Sequence, residues 1–343
     1  MNNSSLHGKR ILITGGTGSW GHELTHQLLD KYPDVQEIRI YSRGEHKQVQ
    51  MKQEFNNDPR LKFIIGDVRD LDILGYAMSD IHTVFHLAAL KHVPVCEENP
   101  WEAVLTNIYG AQNVIEAAVD NKVESVVDVS TDKAVEPFNL YGVTKACGEK
   151  LMINANAYYN SIRSSKTKFI CIRGGNVIGT NGSVIPLFKK QILEKNTITV
   201  TDGFMTRFLM TTREAIGLIF TALENSIGGE LFVMRMPGAT LTTIANTMVK
   251  LFGNDKTKID TIGIRPGEKQ NEVLVSQNEA PFTRVFSNQY YIMLPQLQDK
   301  SAYKKYTKYS AFGDKEFSSA STRRLDEKEL EAILRGEKWL WNL

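Results

Sequence analysis

The stretch STDKAVEPFNLYGVTK, residues 130–145, holds the side chains best suited to proton chemistry. Tyr141 and Lys145 stand four apart, and on a helix that spacing puts both on one face. An ammonium beside a phenol favours the phenolate, so the pair predicts a tyrosine with a lowered pKa. Such a tyrosine can take a proton from an alcohol while hydride leaves the same carbon. Thr131, Asp132 and Lys133 precede the pair at the end of the apolar run SVVDVS.

A second candidate is TGGTGSWGHELTHQ, residues 14–27, which fits two patterns at once. Gly15, Gly18 and Gly21 follow a β-branched run and open a helix, the context of a dinucleotide-binding loop. Glycine there permits a tight turn and lets backbone approach a pyrophosphate. The helix N-terminus adds amide donors and a positive dipole end. Gly15, Thr17, Gly18, Ser19, Trp20 and Gly21 therefore form the expected cradle. His22, Glu23 and His26 read as a zinc-hydrolase H-E-x-x-H. Leu24 and Leu28 on the same helix must face the core, which turns the histidines aside, so no metal site is expected.

Where a second strand ends, an acid normally holds the ribose 2′-hydroxyl of NAD. That place here holds Ser42 and Arg43, with Lys47 one turn on. Basic groups suit a 2′-phosphate, so NADP is expected rather than NAD. Asp67 and Val68, ending a third run, suit an adenine contact.

These residues need a scaffold, and the chain supplies its pattern. RILITG (10–15), EIRIYS (37–42), LKFIIGD (61–67), TVFHLA (83–88), SVVDVS (125–130) and KFICIR (168–173) alternate with amphipathic stretches. Near-continuous apolar runs suit strands buried on both faces. The alternation predicts right-handed crossovers and an α/β, Rossmann-type doubly wound parallel sheet. A dinucleotide-binding domain is expected over 1–175, rejoined by 209–235. The rest, 176–208 and 236–343, is expected to form a smaller C-terminal α/β domain that binds substrate. Ser321 or Thr322 is expected to cap a short helix near the end.

The 343 residues suffice for two such units. With 41 basic and 39 acidic residues, no global charge draws the chain to nucleic acid or membrane. No apolar run approaches the roughly 18 residues of a membrane span, and the N-terminus does not read as a signal peptide. Cys96, Cys147 and Cys171 are sparse and unpaired in pattern, as in a reducing cytoplasm.

The motifs together resemble the extended short-chain dehydrogenase/reductase superfamily. They are TGGTGSWG, GDVRD, VFHLAALKHVP, TNIYGAQNVIEAA, STDKA, YGVTK, RGGNVIGTNGSVIPLF, DGFMTRF and RPGEK. Within it the chain most resembles bacterial UDP-N-acetylglucosamine 4,6-dehydratases of the inverting, pseudaminic-acid type and their capsule relatives. Asp132-Lys133 carries that likeness, since the deoxythymidine-glucose type has Asp-Glu there. Some capsule relatives replace the tyrosine by methionine; this chain keeps Tyr141.

The resemblance implies an ordered reaction. Tyr141 deprotonates the C4 hydroxyl as hydride passes to NADP. Lys133, if its pKa is lowered, removes the C5 proton; Asp132 protonates the departing C6 hydroxyl; hydride returns to C6. Delivery of the C5 proton from the opposite face gives inversion. It also implies that Leu87, Ala88, Ala89 and Lys91 contact the cofactor, with Lys91 and Thr131 near the sugar. Asn107 supports that loop. Asn176, Val184, Pro186, Arg207, Arg265 and Glu268 are implied contacts for the UDP portion. A homo-oligomer is implied as well. A retaining dehydratase, a UDP-sugar 4-epimerase or reductase, and a non-catalytic NADP-binding protein stay as alternatives.

Overall fold

The computed structural model describes residues 6–180, 182–296 and 300–341. The first half contains β1 (Arg10–Thr14), β2 (Glu37–Ser42), β3 (Leu61–Ile65), β4 (Thr83–His86), β5 (Ser125–Thr131) and β6 (Lys168–Gly174). Between them run α1 (Ser19–Lys31), α2 (Glu45–Glu54), α3 (Leu71–Met78), α4 (Val93–Glu98), α5 (Pro100–Val104), α6 (Gly110–Asp120) and α7 (Leu140–Arg163). The second half adds strands β7 (Asn176–Val177), β8 (Thr197–Val200), β9 (Thr206–Met210), β10 (Leu231–Met234), β11 (Gly238–Thr240) and β12 (Lys258–Thr261). Strands β13 (Val273–Val275), β14 (Thr283–Val285), β15 (Tyr290–Met293) and β16 (Phe317–Ser318) follow. Its helices are α8 (Val184–Lys195), α9 (Thr212–Asn225), α10 (Leu241–Phe252) and α11 (Glu327–Gly336).

One nine-stranded sheet has the order β14-β15-β10-β6-β5-β4-β1-β2-β3. From β3 to β10 all pairings are parallel, and β15 and β14 add antiparallel. The run 3-2-1-4-5-6 is the doubly wound dinucleotide-binding order, with its switch between β1 and β4. Every residue of β4 and of β10 is buried, because helices cover both faces. Helix α1 turns Leu24 and Leu28 into this core, and α9 packs beside it, with Tyr32 meeting Phe220 edge to face at 5.8 Å.

A separate hydrophobic cluster joins α8, β8, α10 and α11 through Phe188, Ile198, Ile244, Met248, Leu330 and Leu334. The sequence pattern places all of 236–343 in this second unit, but β14 and β15 belong to the large sheet. Their Tyr291 and Ile292 are buried against β10, a gain that solvent on that edge would forfeit. The cap of α11 is Asp326, in a capping box with Glu329, rather than Ser321 or Thr322. Those two are spent on a preceding turn, where Thr322 donates to the Met236 carbonyl.

The two halves are locked by Arg173 on β6, which is 1% exposed. Its guanidinium reaches Glu149 of α7 at 2.5 Å, Glu279 at 3.0 Å and the Leu274 carbonyl at 2.8 Å. Glu149 also accepts from Ser130 at 2.6 Å. Removing one partner from a buried ion group leaves charge uncompensated, at about 3–5 kcal/mol. Arg173→Met is thus expected to lower stability by about that amount in urea unfolding. A loss under ~1 kcal/mol would contradict this role.

Candidate active site

A cleft of about 940 Å³ opens at the C-terminal ends of β1, β4 and β5, a size that suits a cofactor with a small substrate. On one side it is walled by Gly15, Thr17, Gly18, Ser19, Trp20 and Gly21. Gly15 has φ +66°, and a Cβ there would lie 2.8 Å from the Ala88 backbone. Only glycine lets the loop close against the β4 end in this way. Ser42, Arg43, Lys47, Asp67, Val68, Leu87, Ala88, Ala89 and Lys91 complete this half of the wall. The Arg43 side chain is more than half exposed, 3.8 Å from Asp67, whose carboxylate is held mainly by Arg69 at 2.6 Å. Burial pulls the Asp67 pKa up, and its bonds to Arg69 outweigh that and leave it lowered.

The other half of the wall carries Thr131, Lys133, Tyr141, Lys145 and Asn176. Thr131 ends β5, and its hydroxyl accepts from the Lys133 amide at 3.3 Å, tightening the chain into a single 3₁₀ turn over Asp132–Ala134. Asn139 caps α7 by accepting from Gly142 N–H at 2.8 Å. A Cβ on Gly142 would sit 2.2 Å from the Lys133 carbonyl, so glycine lets the helix and the turn touch. Tyr141, in the first turn of α7, lines the cleft beside Thr131, whose hydroxyl donates to Asp132 Oδ1 at 3.0 Å.

The charges are densely paired, and all but Lys133, whose side chain is 25% exposed to the cleft, are buried. Lys133 Nζ lies 3.0 Å from Asp132 Oδ1 and 3.5 Å from Glu272 Oε1. Burial lowers the Lys133 pKa, but these two carboxylates outweigh it, so the group is held as an ammonium well above its ordinary range. That corrects the expectation of a lowered lysine pKa. Tyr141 is corrected as well. Desolvation raises its pKa, and the opposing pull of Lys145, Lys133 and Thr131 does not cancel it. Lys145 is also held as the cation: burial lowers its pKa, but Asp128, 3.6 Å away, together with Tyr141, Cys171 and Glu149 outweighs that.

Asn107 bridges the wall, bonding the Leu90 amide and carbonyl at 2.9 Å each and the Thr144 hydroxyl at 3.0 Å. It sits in a π-helical turn over Leu105–Tyr109, a form common at functional sites. His86 accepts from or donates to Thr14 at 2.7 Å, and burial lowers its pKa to about 4. His22 turns to Glu54 at 3.1 Å, away from the cleft. Among the described residues no group of three or more His, Cys, Asp or Glu is placed to hold a metal ion.

Several expected residues lie off the cleft wall. Asp132 is fully buried behind Lys133. Val184 and Pro186 begin α8, beyond Ser183, which does line the cleft. Arg207 is buried, donating to the Thr206 and Gln270 carbonyls. Arg265 and Glu268 lie in a loop tied to the site from both sides. Asn139 donates to the Gly267 carbonyl at 2.8 Å, and Lys269 to the Val135 carbonyl at 2.6 Å.

Thr106, Ser183, Asp128 and Glu272 belong to the site without any local sequence signal that marks them. Buried Thr106 Oγ1, Asn176 Oδ1 and Ser183 Oγ have no partner among the described residues and border the cleft. Unpaired buried polar atoms at a cleft are free for a ligand.

A glycine cradle at a β1/β4 switch point, beside a Tyr-x-x-x-Lys helix, defines a Rossmann-type protein of the short-chain dehydrogenase/reductase kind. The chain belongs to the polysaccharide biosynthesis protein family, whose model matches residues 11–294. It is 43% identical over 294 residues to the inverting UDP-N-acetylglucosamine 4,6-dehydratase of Campylobacter jejuni, covering 85% of each chain. It is 44% identical over 334 residues to a UDP-glucose 4-epimerase of Rickettsia bellii, covering 95% of each. The solved structure of Pen from Bacillus thuringiensis superposes with a TM-score of 0.87 at 37% identity, covering 97% of this chain and 99% of that one.

Proposed function

We propose that the chain is an NADP-dependent UDP-N-acetylglucosamine 4,6-dehydratase that inverts C5. The observation that carries this reading is the Asp132–Lys133 pair, 3.0 Å apart, on the turn beside Tyr141. A reaction confined to C4 needs the tyrosine and Lys145 alone. A second acid–base pair is what removal of water across C5 and C6 demands. The Campylobacter relative supports the same substrate and outcome.

The wall residues fit the cofactor, since Gly15 leaves backbone where a side chain would obstruct a pyrophosphate. Gly15 to Gly21 would hold the diphosphate, and Ser42, Arg43 and Lys47 the 2′-phosphate. When bound, a nicotinamide supplies hydride acceptance at C4 and its return at C6. Asn176 and Ser183, with Arg265 and Glu268 on the facing loop, would contact the UDP portion.

Tyr141 first releases its own proton to solvent, and the resulting phenolate, stabilised by the Lys145 ammonium, takes the C4 hydroxyl proton. The resting Lys133 is an ammonium, so it must shed a proton before it acts as a base. Asp132 is the acceptor within reach. That transfer makes both reagents together: a neutral amine for the C5 proton and a carboxylic acid for the C6 hydroxyl. As the C5–H and C6–O bonds break, water leaves with the Asp132 proton. The pair then returns to ammonium and carboxylate. A proton taken up from solvent and delivered to C5 on the opposite face inverts that centre.

Lys133→Ala tests the assignment. Product formation is expected to fall at least about 100-fold, while cofactor reduction at 340 nm on mixing with UDP-N-acetylglucosamine persists. The Rickettsia relatives favour a second reading, a 4-epimerase. On that reading the variant would keep making the C4 epimer at its original rate.

Arg43→Ala tests the cofactor. NADP binding is expected to weaken about tenfold or more, the worth of a charge-assisted bond, with NAD little changed. Equal losses for both in a fluorescence titration would count against the 2′-phosphate contact.

A further inference from the structure

Glu272 belongs to none of the motifs above, yet it reaches the centre of the site. It is 2% exposed and lies just ahead of β13, in the chain that returns from the second unit. Its backbone is fixed on both sides. The Glu272 amide donates to Ser319 Oγ at 2.9 Å, and its carbonyl accepts from the Ser319 amide at 2.8 Å. Ser319 is itself bonded to Thr206 at 2.6 Å. The Leu274 carbonyl two residues on is held by Arg173. Glu272 Oε1 faces Lys133 Nζ at 3.5 Å, while Oε2 is buried with no hydrogen-bond partner among the described residues.

A buried carboxylate with an unsatisfied oxygen is costly, and a fold gains nothing by keeping one without use. The groups facing Lys133 are Asp132 on its own turn, Tyr141 from α7 and Glu272 from the returning chain. Behind Glu272 stands Arg207 of β9, with its Nε 4.0 Å away. Asp132 exchanges its proton with Lys133 during the elimination, while Glu272 lies 3.5 Å from the same Lys133 Nζ.

We infer that Glu272 is a positioning residue that strengthens Lys133 as the C5 base, by holding a fixed negative charge beside the ammonium that forms as the C5–H bond breaks. This rests on the dehydratase reading. As Lys133 takes the C5 proton and Asp132 gives its own to the C6 oxygen, the new ammonium meets the negative charge of Glu272 3.5 Å away. Removing that charge lowers the affinity of the pair for its proton, so elimination slows and its pH profile moves to lower pH. The profile belongs to the coupled pair and not to one residue.

Glu272→Gln keeps the shape and removes the charge. Its elimination kcat is expected to fall about tenfold at neutral pH, with KM for UDP-N-acetylglucosamine nearly unchanged. The pH–rate profile is expected to move down by about one unit or more. Glu272→Asp keeps the charge but draws it back, and a smaller shift in the same direction is expected. An unshifted profile with activity lost equally at every pH would overturn the inference, since that marks a merely structural role. If the Gln variant does not fold, the Asp variant decides alone: an unshifted profile there overturns it. Deuterium incorporation at C5 by the wild-type protein separates the two levels. Its absence sinks the dehydratase reading itself, whereas its presence with an unshifted variant sinks only the role of Glu272.

Discussion

Arg173 is the constraint on which the site depends. It is a cation on an interior strand, shut off from solvent, so its position requires fixed acceptors. Glu149 and Glu279 fill that need from opposite directions. One lies on the helix that bears Tyr141 and Lys145. The other lies on the chain that bears Glu272. Ser130, next to the Asp132 turn, bonds the same Glu149. Three segments distant in sequence are thereby referred to one guanidinium. The proton-transfer groups inherit their spacing from it.

Within that frame, burial and pairing compete for every charge. At Tyr141 desolvation wins, and the resting side chain is a phenol. At Lys133 and Lys145 nearby carboxylates win, and both amines rest as cations. The resting site is therefore not set for proton abstraction. It is set to exchange a proton internally, since Lys133 and Asp132 are in contact and either arrangement of their shared proton has the same net charge. Desolvated ion pairs of this kind are sensitive to one added or removed charge, because little solvent screens them.

The sheet was legible because its strands are buried on both faces and written as apolar runs. The glycine loop and the Tyr141–Lys145 pair were legible because their spacing is local. Asp128 and Glu272 were not legible. Asp128 sits inside the apolar run SVVDVS and acquires meaning only when α7 lays Lys145 beside it. Glu272 reaches Lys133 through a tertiary return set by Ser319 and Arg173, which no local pattern encodes. The two pKa directions were misread for a related reason. Neighbouring ammonium groups can be read from spacing, but the extent of desolvation and the count of facing carboxylates cannot. The placing of β14 and β15 turned on edge pairing, which again is a property of the assembled sheet.

The central claim is that water is removed across C5 and C6 with the C4 hydride kept inside the molecule. NMR of the nucleotide sugar formed from UDP-N-acetylglucosamine in deuterated water tests it most directly. The expected product is a 4-keto sugar with a C6 methyl group, one deuterium at C5 and inverted C5 configuration. A C4 epimer with an intact C6 hydroxyl and no deuterium at C5 would contradict it.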